Sequence, residues 1–216
     1  MKMTGHFLYG KYNFGGKKWY SRDPLLSDSF NQFIRLIFSL SNGKHLAFSD
    51  MRRFAKVILF ETEKRKDVID LASLGPEPLD NLAFSDFRKQ LLKKPMGKIK
   101  TVLMDQTIIA GIGNIYSDEI LWYADIHPER KTSTLADKEI KEMWKSMKII
   151  LKKSIKMGGD SMSDYRNVYG ERGNFQNAHK VYKRTKQKCL KKGCSGTIER
   201  KVIGGRSSHF CNAHQR

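Results

Sequence analysis

Four side chains near the carboxyl terminus have the types and the spacing of a zinc site. Cys189 and Cys194 form a C-x4-C pair. Cys211 and His214 form a C-x2-H pair, and sixteen residues lie between the two pairs. Three thiolates and one imidazole complete a tetrahedral shell and leave no open position for a catalytic water, so we predict one structural Zn²⁺ ion. The alternative is a set of three unrelated buried cysteines.

The segment between the two ligand pairs is predicted to form a β-hairpin. Two stretches with strand character, 197–202 and 207–210, flank Gly204-Gly205, a dipeptide that tolerates the positive φ of a tight turn. Such a hairpin brings both ligand pairs together, as in a zinc ribbon. Because so short a segment has little core, metal binding would supply much of its folding free energy.

The same segment carries a dense positive charge. The 216 residues include 41 Lys and Arg against 22 Asp and Glu, a formal net charge of 41 − 22 = +19. Residues 181–216 hold 10 basic residues and one acid, Glu199, a net charge of +9. Such a field attracts phosphate backbones and anionic membranes alike. A polyanionic partner is therefore expected, and a ribosome-bound or merely basic protein remains an alternative.

Composition narrows the class of protein. An apolar fraction of 39% with 12 Phe, 8 Tyr and 3 Trp excludes a disordered basic tail. No run approaches 18 apolar residues, which excludes an ordinary transmembrane helix, and the first six residues lack the apolar stretch of a signal peptide. We expect a soluble cytoplasmic protein with no membrane partner.

The first part of the chain has the pattern of β-strands. Apolar residues alternate over 34–40, and Asn42-Gly43 gives the signal of a type I′ hairpin turn before a second strand. Residues 55–60 predict a further strand. Gly75-Pro76-Glu77-Pro78 then marks a linker, where extended conformations are favoured.

From Ser85 onward the apolar period is helical. Ser85 is predicted to cap a short helix that ends before Pro95. Residues 99–109 and 115–123 predict two more helices on either side of a glycine-rich break.

The longest helix is predicted to begin at Thr134 and to end at Gly158-Gly159. Asp137 follows Thr134 by three residues, as in a capping box. One apolar stripe is predicted to face the core: Ile140, Met143, Trp144, Met147, Leu151 and Ile155.

The break between the second and third helices could bind an anion. Gly111-Ile112-Gly113-Asn114 allows close approach of the backbone, and the positive end of the next helix starts at Asn114. Since Lys98 and Lys100 are close in sequence, we predict that this region, including Lys100, contacts a DNA phosphate. A tight helical turn with glycines for packing explains the same spacing equally well.

At these residues the chain resembles a known family. The stretch from Leu103 through Gly111-Ile112-Gly113-Asn114-Ile115-Tyr116 to Ile126-His127-Pro128 closely resembles the helix–two-turn–helix region of formamidopyrimidine-DNA glycosylases and the related endonuclease VIII enzymes. Four further segments resemble family motifs in the same order: Met3-Thr4-Gly5, Asp50-Met51-Arg52-Arg53-Phe54, residues 158–176 and residues 204–211.

The resemblance covers essentially the whole chain and implies an α+β fold. It implies a partial β-sandwich, the remnant of a catalytic domain, in 1–75. A helix–two-turn–helix DNA-binding domain would occupy 82–180, and a zinc-ribbon β-hairpin would occupy 181–216.

The resemblance also implies a function in base-excision repair. Such enzymes excise oxidised purines from duplex DNA, flip the damaged nucleotide out of the helix and cleave the abasic strand by β,δ-elimination. Met3, Arg52 and Phe54 match the residues that fill the vacated space. Asn114 and Arg206 match residues that grip phosphates beside the flipped nucleotide. Arg206 also matches the residue proposed to assist δ-elimination, which makes it the one catalytic residue implied here.

The departures from the family bear on catalysis. The family nucleophile is an N-terminal proline amine followed by a catalytic glutamate, whereas this chain starts Met1-Lys2-Met3. No residue matches these two or the family's catalytic lysine. His214 replaces the usual fourth cysteine, and Glu171 stands where some members have a lysine in the loop beside the lesion.

We therefore expect an N-terminally truncated member of the family, monomeric and associated with the nucleoid. Its missing piece was lost from the gene model or lies on a separate chain. The partner would be double-stranded DNA with an oxidised base or an abasic site. The alternative is a catalytically inactive zinc protein that binds damaged DNA.

Overall fold

The computed structural model describes residues 1, 4–67, 72–162 and 164–216. Contacts group the chain into two compact units. The first comprises Met1–Leu59 with Ser154–Ala178, and the second comprises Phe60–Lys153 with His179–Arg216. The fold is mixed α and β, as predicted. The limits of these two units differ from the predicted domain boundaries of 1–75, 82–180 and 181–216. The three predicted domains stay predictions.

The strands of the first unit form two small antiparallel sheets. They are β1 (His6–Gly10), β2 (Asn13–Gly15), β3 (Lys18–Tyr20), β4 (Ile34–Ser39) and β5 (His45–Ser49). One sheet has the order β1-β5-β4, and β2 pairs with β3 in a separate hairpin. A small buried cluster of Leu8, Tyr12, Leu26 and Ala47 supports them.

The β4–β5 hairpin is confirmed, but its predicted turn type is wrong. Within the loop only Gly43 has a positive φ, of 74°. The Gly43 N–H donates to the Leu40 carbonyl at 3.1 Å, and the Leu40 N–H donates to the Lys44 carbonyl at 2.9 Å. A type I′ turn needs positive φ at two central residues, so this is a three-residue loop with glycine in the left-handed position.

The predicted strand at 55–60 is also wrong. None of the strands in the described ranges pairs with it. Val57 and Ile58 are half exposed, and Leu59 is 98% exposed. A strand requires a hydrogen-bonded neighbour, so apolar, β-branched composition alone does not form one.

The second unit is built on helices. Its helices are α1 (Phe84–Leu91), α2 (Ile99–Leu103), α3 (Asn114–Tyr123) and α4 (Asp137–Lys156). The last residues of α4, from Ser154 on, are grouped with the first unit. Its strands are β6 (Glu199–Ile203) and β7 (Arg206–Phe210). No helix in the described ranges combines the length and the apolar character needed to cross a membrane.

The predicted start of α1 and the predicted end of α2 are corrected. Ala83, and not Ser85, occupies the N-cap of α1, without a side-chain cap. Helix α2 ends at Leu103 instead of continuing to residue 109. There the Asp105 carboxylate accepts the Thr107 N–H at 2.9 Å, which favours a turn over further helix.

Helix α4 begins later than predicted because Glu139 caps it. The Glu139 carboxylate accepts the Ala136 N–H at 2.8 Å, while Thr134 lies in a preceding 3₁₀ turn. The predicted stripe is buried at Ile140, Met143, Met147 and Leu151. Ile155, in the last turn, is exposed, so its assignment to the core was wrong.

Glu129 ties β6 to the segment before α2, and its charge should affect stability in acid. Its carboxylate contacts the ammonium groups of Lys201 and Lys98. Hydrogen bonds from Lys201 and then Lys98 lower the pKa of Glu129 from 4.5 to about 2. A depressed pKa contributes stability that is present above the unfolded value and is lost as the pH falls through the folded value.

We expect Glu129→Gln to lower the free energy of unfolding at pH 7 by at most about 1 kcal/mol, because both lysines are half exposed. The difference from wild type should shrink between pH 4.5 and about 2. Urea denaturation across this range measures it. A difference that does not change with pH would contradict the assigned ion pairs.

Candidate functional site

The structure brings the four predicted metal ligands together. The ligand atoms of Cys189, Cys194, Cys211 and His214 all lie within 4.8 Å of one another. His214 Nδ1 lies 3.5 Å from Cys189 Sγ and 3.6 Å from Cys194 Sγ, and the Sγ atoms of Cys194 and Cys211 are 3.7 Å apart. Tetrahedral bonds of about 2.3 Å to sulfur and about 2.0 Å to nitrogen require similar separations. The set therefore fits a single Zn²⁺ ion.

Groups around the cluster orient the ligands. The Trp122 indole N–H donates to Cys189 Sγ at 3.4 Å. His214 Nε2 lies 3.4 Å from the Trp122 carbonyl oxygen, which leaves Nδ1 for a metal. Burial lowers the pKa of His214, so the imidazole is neutral, as a metal ligand must be.

Backbone at Gly196 closes the other side of the cluster. Its N–H donates to Cys194 Sγ at 3.4 Å. A Cβ placed on Gly196 would lie 2.6 Å from Cys211 Sγ, so only glycine allows this approach. Burial raises the pKa of the Cys211 thiol to about 11, and a metal ion would therefore have to displace its proton.

The predicted C-terminal hairpin is confirmed. Gly204 and Gly205 both have positive φ, 57° and 74°, and connect Ile203 to its partner Arg206. A Cβ on Gly204 would lie 2.4 Å from Thr101 Cγ2, so the turn packs closely against α2. Arg206 is exposed, and its guanidinium makes no hydrogen bond or ion pair with the part of the chain that the structure describes. Its guanidinium is available to an anion.

Lys100 lies in the interior, which corrects its prediction as a DNA contact. Its side chain is 0% exposed. The ammonium donates to Asp118 Oδ1 at 2.6 Å, to Ser117 Oγ at 2.8 Å and to the Asn114 carbonyl at 2.8 Å. Three acceptors use all three N–H groups, so none remains for a phosphate. Burial lowers the pKa of Lys100, and the Asp118 carboxylate opposes this shift.

Asp118, which sequence reasoning missed, links this lysine to the C-terminal hairpin. Its Oδ1 accepts the Ser208 hydroxyl at 2.7 Å, and its Oδ2 accepts the His209 N–H at 2.9 Å. The network therefore runs from the first residue of α3 to a position two residues beyond Arg206. The available signal was an acidic pair, 118–119, within an otherwise apolar helix, since buried carboxylates require partners.

Asn114 stands at the start of α3, as predicted. Gly113 precedes it in an extended conformation as the N-cap. The side-chain oxygen of Asn114 is buried and accepts no hydrogen bond from the residues described. The first N–H groups of a helix carry partial positive charge, which suits an anion here.

Glu119 fixes the chain that leads to the metal ligands. Its carboxylate accepts the backbone N–H groups of Lys180, Val181 and Tyr182 at 2.9, 3.0 and 2.9 Å. Val181 then packs in a buried cluster with Trp122, Cys189, Ile198 and Cys211. The buried carboxylate of Glu119 thus fixes the backbone of residues 180–182, which precede the first metal ligand.

Lys183, next along this segment, adopts a left-handed conformation with φ 56°. This conformation costs a residue with a Cβ about 1–2 kcal/mol. We expect Lys183→Gly to raise the free energy of unfolding by about 0.5–1 kcal/mol, after the entropy cost of glycine. Lys183→Ala, which keeps the Cβ, is the matched control and should give no increase. A gain for both variants in urea denaturation would contradict backbone strain.

In the first unit, Arg52 and Phe54 lie together on the loop after β5. The Arg52 guanidinium carbon is 4.7 Å from the centre of the Phe54 ring, as in a cation–π contact. Phe54 is 55% exposed. Met3, the third residue predicted to act with them, lies outside the described residues.

Asp50 determines the shape of this loop. Its buried carboxylate accepts the Thr4 hydroxyl at 2.5 Å and the backbone N–H groups of Arg52 and Ala55 at 3.2 and 2.9 Å. Burial opposes ionisation, but these hydrogen bonds together lower the pKa of Asp50. Arg53 adopts φ 58°, an uncommon value for a residue with a side chain, and the loop therefore reverses direction sharply.

Known proteins resemble the chain along most of its length. Residues 74–166 match the model of the formamidopyrimidine-DNA glycosylase H2TH domain. Formamidopyrimidine-DNA glycosylase of Pelotomaculum thermopropionicum is 39% identical over 84% of this chain and 65% of its own length. The Prochlorococcus marinus protein of that name is 42% identical over 82% of this chain and 61% of its own. The chain thus spans less than two thirds of these relatives.

Solved structures agree with these sequence matches. The complex of Lactococcus lactis Fpg with DNA containing an abasic site superposes with a TM-score of 0.82 at 32% identity, covering 100% of this chain and 73% of that one. MutM in complex with DNA containing carbocyclic 8-oxo-G gives 0.81 at 31% identity, covering 100% and 72%. The chain belongs to the formamidopyrimidine-DNA glycosylase family.

Proposed function

We propose that the protein acts in base-excision repair, as a DNA glycosylase and abasic-site lyase on oxidised purines in duplex DNA. The observation that carries the proposal is the exposed Arg206 at the tip of the C-terminal hairpin. One buried hydrogen-bond network, through Asp118 and Lys100, fixes this hairpin to the start of α3. Support for the substrate class comes from relatives in complex with abasic-site and 8-oxo-G DNA.

Asn114 and Arg206 would bind phosphates beside the flipped nucleotide. The planar guanidinium of Arg206 suits two parallel hydrogen bonds to one phosphate. The start of α3 offers backbone N–H groups and a positive dipole to another. Because the network that supports both is buried, the backbone that carries them has little conformational freedom to lose on binding.

Arg52, Phe54 and Met3 would occupy the space that the flipped nucleotide leaves. An exposed aromatic ring such as Phe54 can wedge between base steps. The guanidinium of Arg52 carries N–H donors that can bond the edge of the orphaned base. The contact between these two side chains would hold the wedge together before DNA binds.

The Cys189, Cys194, Cys211 and His214 cluster would hold one structural Zn²⁺. When bound, the ion supplies folding free energy to the hairpin, since four protein ligands leave no open position. The chain's own residues then present Arg206 to the DNA, where it would also assist δ-elimination. As part of this proposal, the protein would act as a monomer at the nucleoid in the cytoplasm.

The alternative is a catalytically inactive protein that binds damaged DNA through the same residues. It rests on the same exposed Arg206, whose contact with a phosphate needs no covalent step. The two candidates share the DNA contacts and differ in covalent chemistry.

Borohydride trapping on duplex DNA with an abasic site separates the two candidates. A proline amine that attacks C1′ forms a Schiff base, which borohydride reduces to a stable adduct. We expect no adduct from the 216-residue chain and an adduct once an N-terminal segment beginning Pro-Glu precedes it. An adduct from the 216 residues alone would contradict the inactive protein. No adduct from either chain would contradict the glycosylase.

Arg206→Ala, made in the chain that carries the added N-terminal segment, tests the contribution of Arg206 to phosphate binding. Loss of a charged hydrogen-bond pair should weaken binding to abasic duplex about tenfold and reduce the δ-elimination product. Arg200→Ala on β6 is the matched control, because it removes the same charge from the same hairpin at a guanidinium that donates to the Ser207 hydroxyl at 2.7 Å. Equal losses for both arginines, in titrations at one salt concentration, would contradict a specific role for Arg206.

A further inference from the structure

The β2–β3 hairpin concentrates aromatic and basic side chains. Residues 11–22 hold four basic residues, four aromatic residues and no acid: Lys11, Lys17, Lys18 and Arg22 with Tyr12, Phe14, Trp19 and Tyr20. Asp23, the next residue, uses its carboxylate to accept the N–H groups of Leu25 and Leu26 at 2.9 and 3.4 Å. Asp23 keeps its negative charge, so residues 11–23 together have a net charge of 4 − 1 = +3.

Phe14 and Trp19 on this hairpin and His45 on β5 form a row of rings that reaches the solvent at Phe14. The ring centres of Phe14 and Trp19 are 5.4 Å apart, and those of Trp19 and His45 are also 5.4 Å apart. Phe14, at the end of this row, is 61% exposed. Tyr20 is 38% exposed and pairs with Asn13, so its ring lies on the opposite face of the hairpin. Exposed aromatic rings among basic groups are suited to stacking with unpaired bases, because every base has a π-face.

A cavity of about 340 Å³ lies beside the row. Its lining includes Tyr12, Lys18, Trp19 and Tyr20. Tyr12 is 5% exposed, and its hydroxyl has no hydrogen-bond partner among the described residues. Burial raises the pKa of Tyr12 to about 12, so the hydroxyl keeps its proton and can donate it in a hydrogen bond. A buried hydroxyl without a partner is unfavourable, and a hydrogen bond to a polar ligand atom would remove this penalty.

We propose that the β2–β3 hairpin binds unpaired nucleotides of a single-stranded nucleic acid. Bases stack on Phe14 and Tyr20, and one base enters the cavity lined by Tyr12. Lys17 and Lys18 neutralise phosphates. None of these residues belongs to the set assigned to duplex DNA, so this surface is additional to the proposed function. An acidic protein would match the charge but would make no use of the row of rings.

Binding of a fluorescent 12-nucleotide oligodeoxythymidine tests the stacking. The double variant Phe14→Leu/Tyr20→Leu removes both rings and keeps apolar bulk. We expect it to bind at least about tenfold more weakly than wild type, since a stacked base contributes roughly 1–3 kcal/mol. Phe38→Leu, an exposed ring on β4 in the same unit, is the matched control and should bind like wild type. Unchanged affinity in the double variant, or equal loss in the control, would overturn the proposal.

Two further arms separate stacking from simple charge attraction and from the duplex site. Lys17→Ala/Lys18→Ala should reduce the slope of log affinity against log salt by about 1.4, the value for two phosphates of a single strand. A loss of affinity in the lysine variant alone, with the ring variant unaffected, would overturn stacking. Arg206→Ala should leave binding of the oligomer unchanged while weakening abasic duplex. The two proposals can therefore fail independently.

Discussion

Asp118→Ala is expected to lower the free energy of unfolding by about 3–5 kcal/mol. The substitution leaves the fully buried ammonium of Lys100 without its carboxylate. It also removes the acceptor of the Ser208 hydroxyl and the His209 N–H. Removing one partner of a buried pair costs more than the pair itself contributes, because an uncompensated charge remains in the interior. Urea denaturation followed by tryptophan fluorescence, to which Trp122, buried in α3, contributes, measures the loss.

Two matched variants isolate the buried charge as the cause. Lys100→Met/Asp118→Leu removes both charges and is expected to lose clearly less stability than Asp118→Ala. Asp137→Ala breaks an exposed pair with Arg88 and should cost less than about 1 kcal/mol. If the double variant loses as much as Asp118→Ala, the unpaired ammonium is not the cause of the loss.

Cys211→Ser is expected to abolish metal binding and to unfold the C-terminal hairpin. Cys211 is buried at the centre of the cluster, 3.7 Å from the Sγ of Cys194. Structural zinc binding contributes about 10–16 kcal/mol to folding in small zinc domains. The apolar cluster around Trp122 is too small to replace it. Elemental analysis should find one zinc per wild-type chain and none in the variant.

His214→Cys is the matched control for metal binding, because it keeps a fourth ligand of the kind usual in the family. It should retain zinc and the slow hydrogen exchange of β6 and β7. Rapid exchange in these strands is expected only for Cys211→Ser. Retained zinc or retained slow exchange in Cys211→Ser would contradict a structural metal centre.

Features set by local geometry could be predicted from the sequence. Gly204-Gly205 tolerates the two positive φ values of a tight turn, and its position between two strand-like stretches predicts that the ligand pairs on either side converge. Helix α3 likewise starts at Asn114, directly after Gly113, which is its N-cap in an extended conformation. In each case the information lies within a few residues of the feature.

Features set by distant partners could not be predicted in this way. Residues 55–60 have strand composition, but a strand depends on a neighbour elsewhere in the chain. Lys100 looked like a surface lysine because the acceptors of its ammonium lie 14 to 18 residues away. The role of Asp118 could not be predicted for the same reason, since its partners in β7 are 90 and 91 residues away in the sequence.

The affinity of the 216-residue chain for duplex DNA with and without a stable abasic-site analogue tests the central claim most directly. Both duplexes should be measured in competition at physiological salt, where charge alone contributes equally to each. We expect the abasic duplex to bind at least about tenfold more tightly, and Arg206→Ala to remove much of this preference. Equal affinity for the two duplexes would show that the positive charge alone attracts DNA, and would contradict recognition of damaged DNA by this chain.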